Sequence, residues 1–257
     1  MEFESLILET IKALSLDDFA KRIDHTLLNP QSKVHDIERV CKEALEIGFA
    51  ACYISPWYVK EARKILKDSE VKVGSVVSFP HGNSPIDVKV HEAKWLIENG
   101  AEEVDMVVNL NALKSHMWDY LANEISKVAK VVHEYDCILK VIVETGILSD
   151  DEKVKIAQIV AKSGGDYVKT STGFIGRGAT LHDVHLLKKA VSGRIKVKAS
   201  GGIRHAIDAI MLIIAGADRI GTSAGVTIFN EFKRLKEGSI DSISKLPFFN
   251  INYSGSV

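Results

Sequence analysis

Asp166-Tyr167-Val168-Lys169-Thr170-Ser171, then a helical stretch, then Arg194-Ile195-Lys196-Val197-Lys198-Ala199-Ser200: this succession of strand, helix and strand decides the fold. Both segments are short and rich in β-branched or aromatic residues, the composition of strands. The step from residue 166 to residue 194 is 28 residues, room for one strand, a crossover helix and two turns. Working outward, the same unit recurs. Candidate strands lie at Arg22–Asp24, Phe49–Ile54, Val71–Val77, Glu103–Asn109, Cys137–Glu144, Asp166–Thr170, Arg194–Ala199 and Asp218–Thr222. Their starts run from residue 22 to residue 218, an average step that is again 28 residues. Between them lie helix signals. Ser55-Pro56 and Ser84-Pro85 put proline near a helix start, and Ser149-Asp150-Asp151-Glu152 resembles a capping box. Ile47-Gly48, Asn99-Gly100, Ser163-Gly164-Gly165 and Ala215-Gly216 read as helix ends.

Eight alternating units predict an α/β chain folded as one (β/α)8 TIM barrel with an extra N-terminal helix. Residues 1–257 read as a single domain, with a helical extension over 1–20 that covers the barrel bottom and a tail over 238–257. No Pro/Ser-rich linker divides the chain.

The strands of a buried parallel sheet should be almost wholly aliphatic. Here several carry polar groups at alternate positions: Glu103, Asp105 and Asn109; Lys140 and Glu144; Tyr167, Lys169 and Ser171; Lys196, Lys198 and Ser200. A period of two puts each polar set on one face, and the aliphatic set must face the helices, so the polar set points into the barrel. An ion there costs several kcal/mol unless paired. Two interpretations stand: a structural ion-pair network, or an active site at the C-terminal ends of the strands, where barrel enzymes place their chemistry. Lys169 and Lys198 fall on neighbouring strands. Two ammonium groups roughly 6 Å apart at an effective dielectric of about 20 repel by roughly 3 kcal/mol, or about two pKa units. Desolvation acts in the same direction. One lysine is therefore expected to fall toward 7 or 8, as a Schiff-base nucleophile requires. Asp105 is the candidate carboxylate for positioning water and moving protons.

After strand seven comes Ser200-Gly201-Gly202-Ile203-Arg204, and after strand eight Gly221-Thr222-Ser223-Ala224-Gly225. These are the loops on which barrel enzymes often hold phosphate, by backbone N–H groups at a helix N-terminus. Tight turns that need glycine for geometry alone are the alternative. A third loop, Thr172-Gly173-Phe174-Ile175-Gly176-Arg177-Gly178, follows strand six and can close over a ligand. Asp24 and Thr26 share parity at the end of strand one. Cys52 reads as a small core thiol by default, with an inward position on strand two as the alternative. Trp57, Trp95 and Trp118 read as packing residues, and His182 and His185 as a solvated helix face.

Composition excludes several classes. The chain has 257 residues, 33 basic against 34 acidic side chains, a formal net charge of -1, and 46% hydrophobic residues. That is an ordinary folded composition. The near-zero charge argues against a nucleic-acid partner. The longest apolar run, Ala206 to Ala217, is interrupted by Asp208 and Gly216, which argues against a membrane span. Cys41, Cys52 and Cys137 form no CxxC pair and read as reduced thiols; with no signal-peptide pattern at the start, a cytoplasmic location is expected. No metal-ligand spacing is seen, and neither a metal nor a cofactor is expected.

Ile23-Asp24-His25-Thr26-Leu27, Ser78-Phe79-Pro80-His81-Gly82, Glu103-Val104-Asp105-Met106-Val107, Leu139-Lys140-Val141-Ile142-Val143-Glu144-Thr145, Val168-Lys169-Thr170-Ser171-Thr172-Gly173 and Lys198-Ala199-Ser200-Gly201-Gly202-Ile203-Arg204 together resemble the deoxyribose-phosphate aldolase family, in order, from about residue 20 to 235. The resemblance implies a class I aldolase that cleaves 2-deoxy-D-ribose 5-phosphate to acetaldehyde and D-glyceraldehyde 3-phosphate, reversibly and without a cofactor, in deoxyribose catabolism. It implies Lys169 as the Schiff-base lysine, Lys198 as the lysine that keeps it deprotonated, and Asp105 as the proton relay. It implies Asp24 and Thr26 along the sugar, and Thr172, Gly173, Gly201, Gly202, Ile203, Gly221 and Ser223 along the substrate and its phosphate. Its partners are then a small sugar phosphate and aldehydes, and its assembly a homo-oligomer, dimer or tetramer. Three positions depart from the pattern. Phe174 stands where some relatives carry lysine, Ser223-Ala224 where some carry a serine pair, and Tyr253, not the last residue, near the end where some finish in tyrosine. A different sugar-phosphate barrel enzyme, or a phosphate-ligand sensor without catalysis, are the competing assignments.

Overall fold

A computed structural model describes residues 2–238. Eight parallel strands close into a barrel in sequence order: β1 (Ile23–Leu27), β2 (Ala51–Ile54), β3 (Lys72–Val77), β4 (Glu103–Val107), β5 (Ile138–Ile142), β6 (Tyr167–Lys169), β7 (Lys196–Ser200) and β8 (Arg219–Thr222). The last strand pairs with the first through Asp24 and Gly221. Two helices precede the barrel, α1 (Glu2–Ala13) and α2 (Leu16–Ala20). The others follow the strands: α3 (Val34–Ile47), α4 (Val59–Leu66), α5 (Ile86–Glu98), α6 (Leu110–Lys114), α7 (Trp118–His133), α8 (Asp150–Lys162), α9 (Leu181–Val191), α10 (Ala206–Ile214) and α11 (Gly225–Glu237).

The alternation along the strands sorts the two sides of the sheet. Val104 and Met106 of β4, Leu139 and Val141 of β5, and Val168 of β6 are fully buried in the layer shared with the helices. Asp105, Lys140 and Lys198 are equally buried, but on the barrel side. Local signals start and stop the helices. Ser149 caps α8, its hydroxyl accepting from the Glu152 N–H while the Glu152 carboxylate accepts from the Ser149 N–H. Gly48 ends α3 at φ +78°, a left-handed conformation that favours glycine.

The N-terminal extension differs from expectation. It is two helices, not one, and α1 lies against α10 and α11 in the outer layer. Ile7 and Ile11 give it an apolar face. Lys236 at the end of α11 donates to the carbonyls of Ile11 (3.0 Å), Lys12 (3.3 Å) and Leu14, neutralising the C-terminal dipole of α1. The Phe19 ring stacks on Phe232 at 3.9 Å, fixing α2 to α11. Cys52 is the core thiol expected by default, and two other expectations, at Trp57 and Trp95, are corrected. Cys52 faces outward, its sulfur 3.8 Å from Cys41 on α3, because Ala51 and Tyr53 take the inward positions of β2. Trp57 is 81% exposed and Trp95 is 39% exposed, so neither is a packing residue. Tyr253 lies outside the described residues.

Candidate active site

At the C-terminal mouth of the barrel is a cavity of about 550 Å³. Its walls are the ends of β1, β6, β7 and β8 and the loops that follow them. Nine of the residues singled out in the sequence line it: Thr26, Lys169, Thr172, Gly173, Gly201, Gly202, Ile203, Gly221 and Ser223. The other three, Asp24, Asp105 and Lys198, sit immediately beneath, fully or almost fully buried. Among the described residues, Lys169 is the sole lysine in the cavity wall, and it is 4% exposed.

Strand register explains the meeting. Lys169 lies opposite Lys198 across β6 and β7, and Asp105 lies opposite Lys140 across β4 and β5. Both Lys169 and Lys198 donate to Asp105 Oδ2, each at 2.7 Å. Asp105 Oδ1 is buried and accepts no hydrogen bond among the described residues. Lys198 is also 2.6 Å from Asp24 Oδ2, whose other oxygen accepts from Arg219 at 2.6 Å. Below these, Lys140 bridges Glu103 and the Tyr53 hydroxyl. The barrel interior is thus a connected ladder of charges rather than a greasy core. Each member is buried but paired, which makes the arrangement tolerable.

The ladder sets the protonation states. Burial pulls Lys169 down to about 8; Asp105 opposes the fall and Lys198 adds to it. Repulsion between the lysines therefore has the expected sign, but desolvation is the larger cause. Burial pushes Asp105 up, yet the ammonium groups of Lys169, Lys198 and Lys140 outweigh it and hold the carboxyl at about 2. Asp24 is likewise buried but held well below the usual carboxylate range by Arg219, Lys140 and Lys198. A lysine partly free of its proton at neutral pH, facing a cavity and touching an ionised carboxylate, can add to a carbonyl carbon and pass protons.

The loops behave less uniformly than their glycines suggest. Gly173, Gly201 and Gly202 take positive φ of +80°, +91° and +77°. Gly221 has a different reason: a Cβ there would stand 3.0 Å from Lys198 Cε, so the glycine clears the path of the lysine stem. The N-terminus of α10 is already engaged, since Asp208 accepts from the Arg204 and His205 N–H groups and Glu231 from Ala206. The first turn of α11 carries no acidic residue and no side-chain cap. The start of α11 thus carries no competing carboxylate, unlike that of α10. The Thr172 hydroxyl, expected to meet substrate, is committed to Glu144 Oε2 at 2.6 Å. Phe174 is half exposed at the rim and meets the Phe79 ring edge-on at 5.2 Å.

Three participants in the site were not picked out in the sequence. Arg219 obeys the same rule as the other strand charges and was legible by it. Glu144 carries φ +55° and holds the loop after β6 through Thr172; its parity was visible, its conformation was not. Tyr53 reads as one more strand aromatic, and only its placement reveals it.

With this geometry established, the comparison with known proteins is direct. The model of the DeoC/LacD family aldolases matches residues 19–231. The chain belongs to the DeoC/LacD aldolase family. A deoxyribose-phosphate aldolase from Caldanaerobacter subterraneus subsp. tengcongensis is 50% identical to this aldolase-family chain over 224 residues, covering 87% of it and 97% of the relative. One from Thermococcus gammatolerans is 48% identical over 213 residues, covering 82% and 95%. The structure described as a tetrameric deoxyribose phosphate aldolase from Aeropyrum pernix superposes with a TM-score of 0.83 at 35% identity, covering 90% of this chain and 97% of that one. Every motif quoted above lies within the span matched by the aldolase family, and no helix among the described residues is long and apolar enough to cross a membrane.

Proposed function

We propose that this chain cleaves 2-deoxy-D-ribose 5-phosphate to acetaldehyde and D-glyceraldehyde 3-phosphate, and runs the reverse addition, through an imine on Lys169. The observation that carries the proposal is Lys169 itself, the one lysine in the cavity wall among the described residues, pulled down to about 8 and hydrogen-bonded at 2.7 Å to Asp105. The Lys169 amine attacks C1 of the open-chain sugar, and loss of water leaves a protonated imine. Removal of the proton from the C3 hydroxyl lets the C2–C3 bond break. Its electron pair flows into the imine to form an enamine, and D-glyceraldehyde 3-phosphate departs. Protonation at C2 and hydrolysis release acetaldehyde and restore Lys169. Asp105 relays the protons, its Oδ1 being uncommitted among the described residues. Lys198, held by Asp24 and Asp105, supplies the neighbouring positive charge that keeps Lys169 free of its own proton.

Asp24 and Thr26 border the sugar, and Thr172 and Gly173 cover it. The phosphate lies on Gly201, Gly202, Ile203, Gly221 and Ser223, with the exposed Arg204 at the rim as its counter-charge. These steps draw only on groups of the chain. We place the enzyme in the cytoplasm, as a homo-oligomer of one domain per subunit; the tetrameric relative supports the assembly.

One experiment tests the central step. The protein is incubated with acetaldehyde, reduced with borohydride and mapped by mass spectrometry. An ethyl adduct on Lys169 is expected; an unlabelled Lys169 overturns the proposal. An isomerase acting on a similar sugar phosphate forms no such adduct.

A further inference from the structure

We propose that Tyr53 is a positioning residue for the aldol reaction: the face of its ring holds the positive charge at Lys198 and leaves Lys169 as the free amine. This rests on the Schiff-base assignment of Lys169 and extends it, naming a contact that helps select which of two adjacent lysines becomes the nucleophile. Strand register alone does not decide it, because Lys169 and Lys198 are opposite one another and share the same oxygen of Asp105.

Two contacts break the symmetry, the Asp24 carboxylate and the face of the Tyr53 ring, both on the side of Lys198. The Tyr53 side chain points from β2 into the barrel and is 1% exposed. Lys198 Nζ stands 3.7 Å from the ring centroid, Lys140 Nζ 4.9 Å, and Lys169 Nζ 6.0 Å. The negative face of an aromatic ring attracts a cation within about 6 Å, most strongly where water is excluded. At 3.7 Å Lys198 has the full benefit, and at 6.0 Å Lys169 is at the limit of it. The contact lowers the energy of an ammonium on Lys198 relative to one on Lys169.

The ring is held for this purpose on both sides. Its hydroxyl accepts from Lys140 at 2.6 Å and donates to Glu103 at 3.1 Å. Against it packs Gly74, its partner in strand register. A Cβ on Gly74 would fall 2.4 to 2.6 Å from three ring carbons, so a glycine is required there for the ring to lie flat beneath Lys198. Of the remaining charges, only Asp24 adds to the same bias. Asp105 serves both lysines equally. Asp24 reinforces Lys198, and Arg219 in turn occupies Asp24. Glu144, above the site, is engaged by Thr172. The second inward aromatic, Tyr167, faces Lys140, Lys196 and Arg219, not the reactive pair.

The test is the pH dependence of acetaldehyde trapping on Lys169 in the wild type, Tyr53→Phe and Tyr53→Leu. The wild-type midpoint is expected near the value of about 8 that burial gives Lys169. Tyr53→Phe keeps the ring and is expected within about 0.3 pH unit of it, whereas Tyr53→Leu moves the midpoint up by about one unit, the size of a desolvated cation–π contact. The high-pH plateau is retained in both. An unmoved midpoint in Tyr53→Leu, or an equal shift in the two variants, overturns the role of the ring. Absence of any wild-type adduct removes instead the assignment of Lys169, so the two failures are distinguishable. If Tyr53→Leu does not fold, NMR of the ¹³C-lysine-labelled wild type answers the question. A Lys198 side chain shifted upfield by the ring and still carrying its proton while Lys169 titrates supports the proposal; Lys198 losing its proton first overturns it.

Discussion

Replacing Gly178 by alanine should separate phosphate recognition from lysine chemistry. Gly178 ends the loop after β6, and a Cβ on it would stand 2.1 Å from the Gly201 carbonyl oxygen and 2.4 Å from its carbon. Carbon and oxygen settle at about 3.3 Å or more, so relief requires the two loops to part by about 1.2 Å. Neither neighbour is a flexible side chain that could turn away. The Ala179 N–H, which donates to the carbonyls of both Ser200 and Gly201 at 3.1 Å, would lose that anchorage. Gly201 lines the cavity, and a misplacement of about 1 Å costs on the order of 100-fold in rate. Cleavage of the phosphorylated sugar, followed by release of glyceraldehyde 3-phosphate, should therefore lose about 100-fold in kcat/KM. Acetaldehyde, which has no phosphate, should still be trapped on Lys169 within about threefold of wild type, a difference under 1 kcal/mol. Unchanged kcat/KM would falsify the assignment of the loop as a phosphate seat. A parallel loss in both assays would show that the damage reaches the lysines.

Four further outcomes follow from the same geometry. Asp105→Asn removes the carboxylate that raises the Lys169 pKa, so trapping at pH 6.5 should increase relative to wild type while turnover falls by about 10²- to 10⁴-fold; turnover near the wild-type value would reject the relay role. Wild-type trapping should rise about tenfold per pH unit up to about 8 and then level off. Because the folded pKa of Lys169 lies below that of an unfolded lysine, the unfolded chain binds this proton more tightly. Stability attributable to Lys169 therefore rises with pH from about 8 to about 10.5, measurable as the difference between urea melts of wild type and Lys169→Met. Lys89 and Glu124, both fully buried and 2.7 Å apart, join α5 to α7. Lys89→Met should cost about 3 to 5 kcal/mol and lower Tm by about 10 °C, with part of the loss recovered in Lys89→Met/Glu124→Gln, which keeps an acceptor for the Asn109 N–H.

The barrel was legible because a covered parallel sheet tolerates almost no polar side chain, and this one carries them with a strict period of two. The same parity placed Asp105, Lys140, Lys169 and Lys198 inside before any coordinate was considered. Boundaries were less legible. β1 was expected to stop at Asp24 but continues to Leu27, because the pairing of His25, Thr26 and Leu27 with β2 outweighs their mixed polarity. Contacts between distant segments were not legible at all. That α1 lies on α10 and α11 depends on where Lys236 ends up, a residue far along the chain. The exposure of Trp57 cannot be read from a helical pattern. Tyr53 needs Gly74 opposite it, and no local signal couples the two. The resemblance to the aldolases named the reactive lysine, and the order of the forces acting on it came only from burial.

The ladder inside the barrel has one further property. It joins three acids, Asp24, Glu103 and Asp105, to four bases, Lys140, Lys169, Lys198 and Arg219. Electroneutrality within that set is reached only when one base gives up a proton, and Lys169, whose salt-bridge partner in the ladder is Asp105 alone, is the weakest holder. When the amine becomes an imine the surplus charge returns, now on the atom that must draw electrons from the breaking bond. Charge balance thus adds to burial in freeing the Lys169 amine, and it is adjustable from the barrel floor. Glu103→Gln, near the opposite end of the barrel, would leave the surplus at two and make the amine freer still.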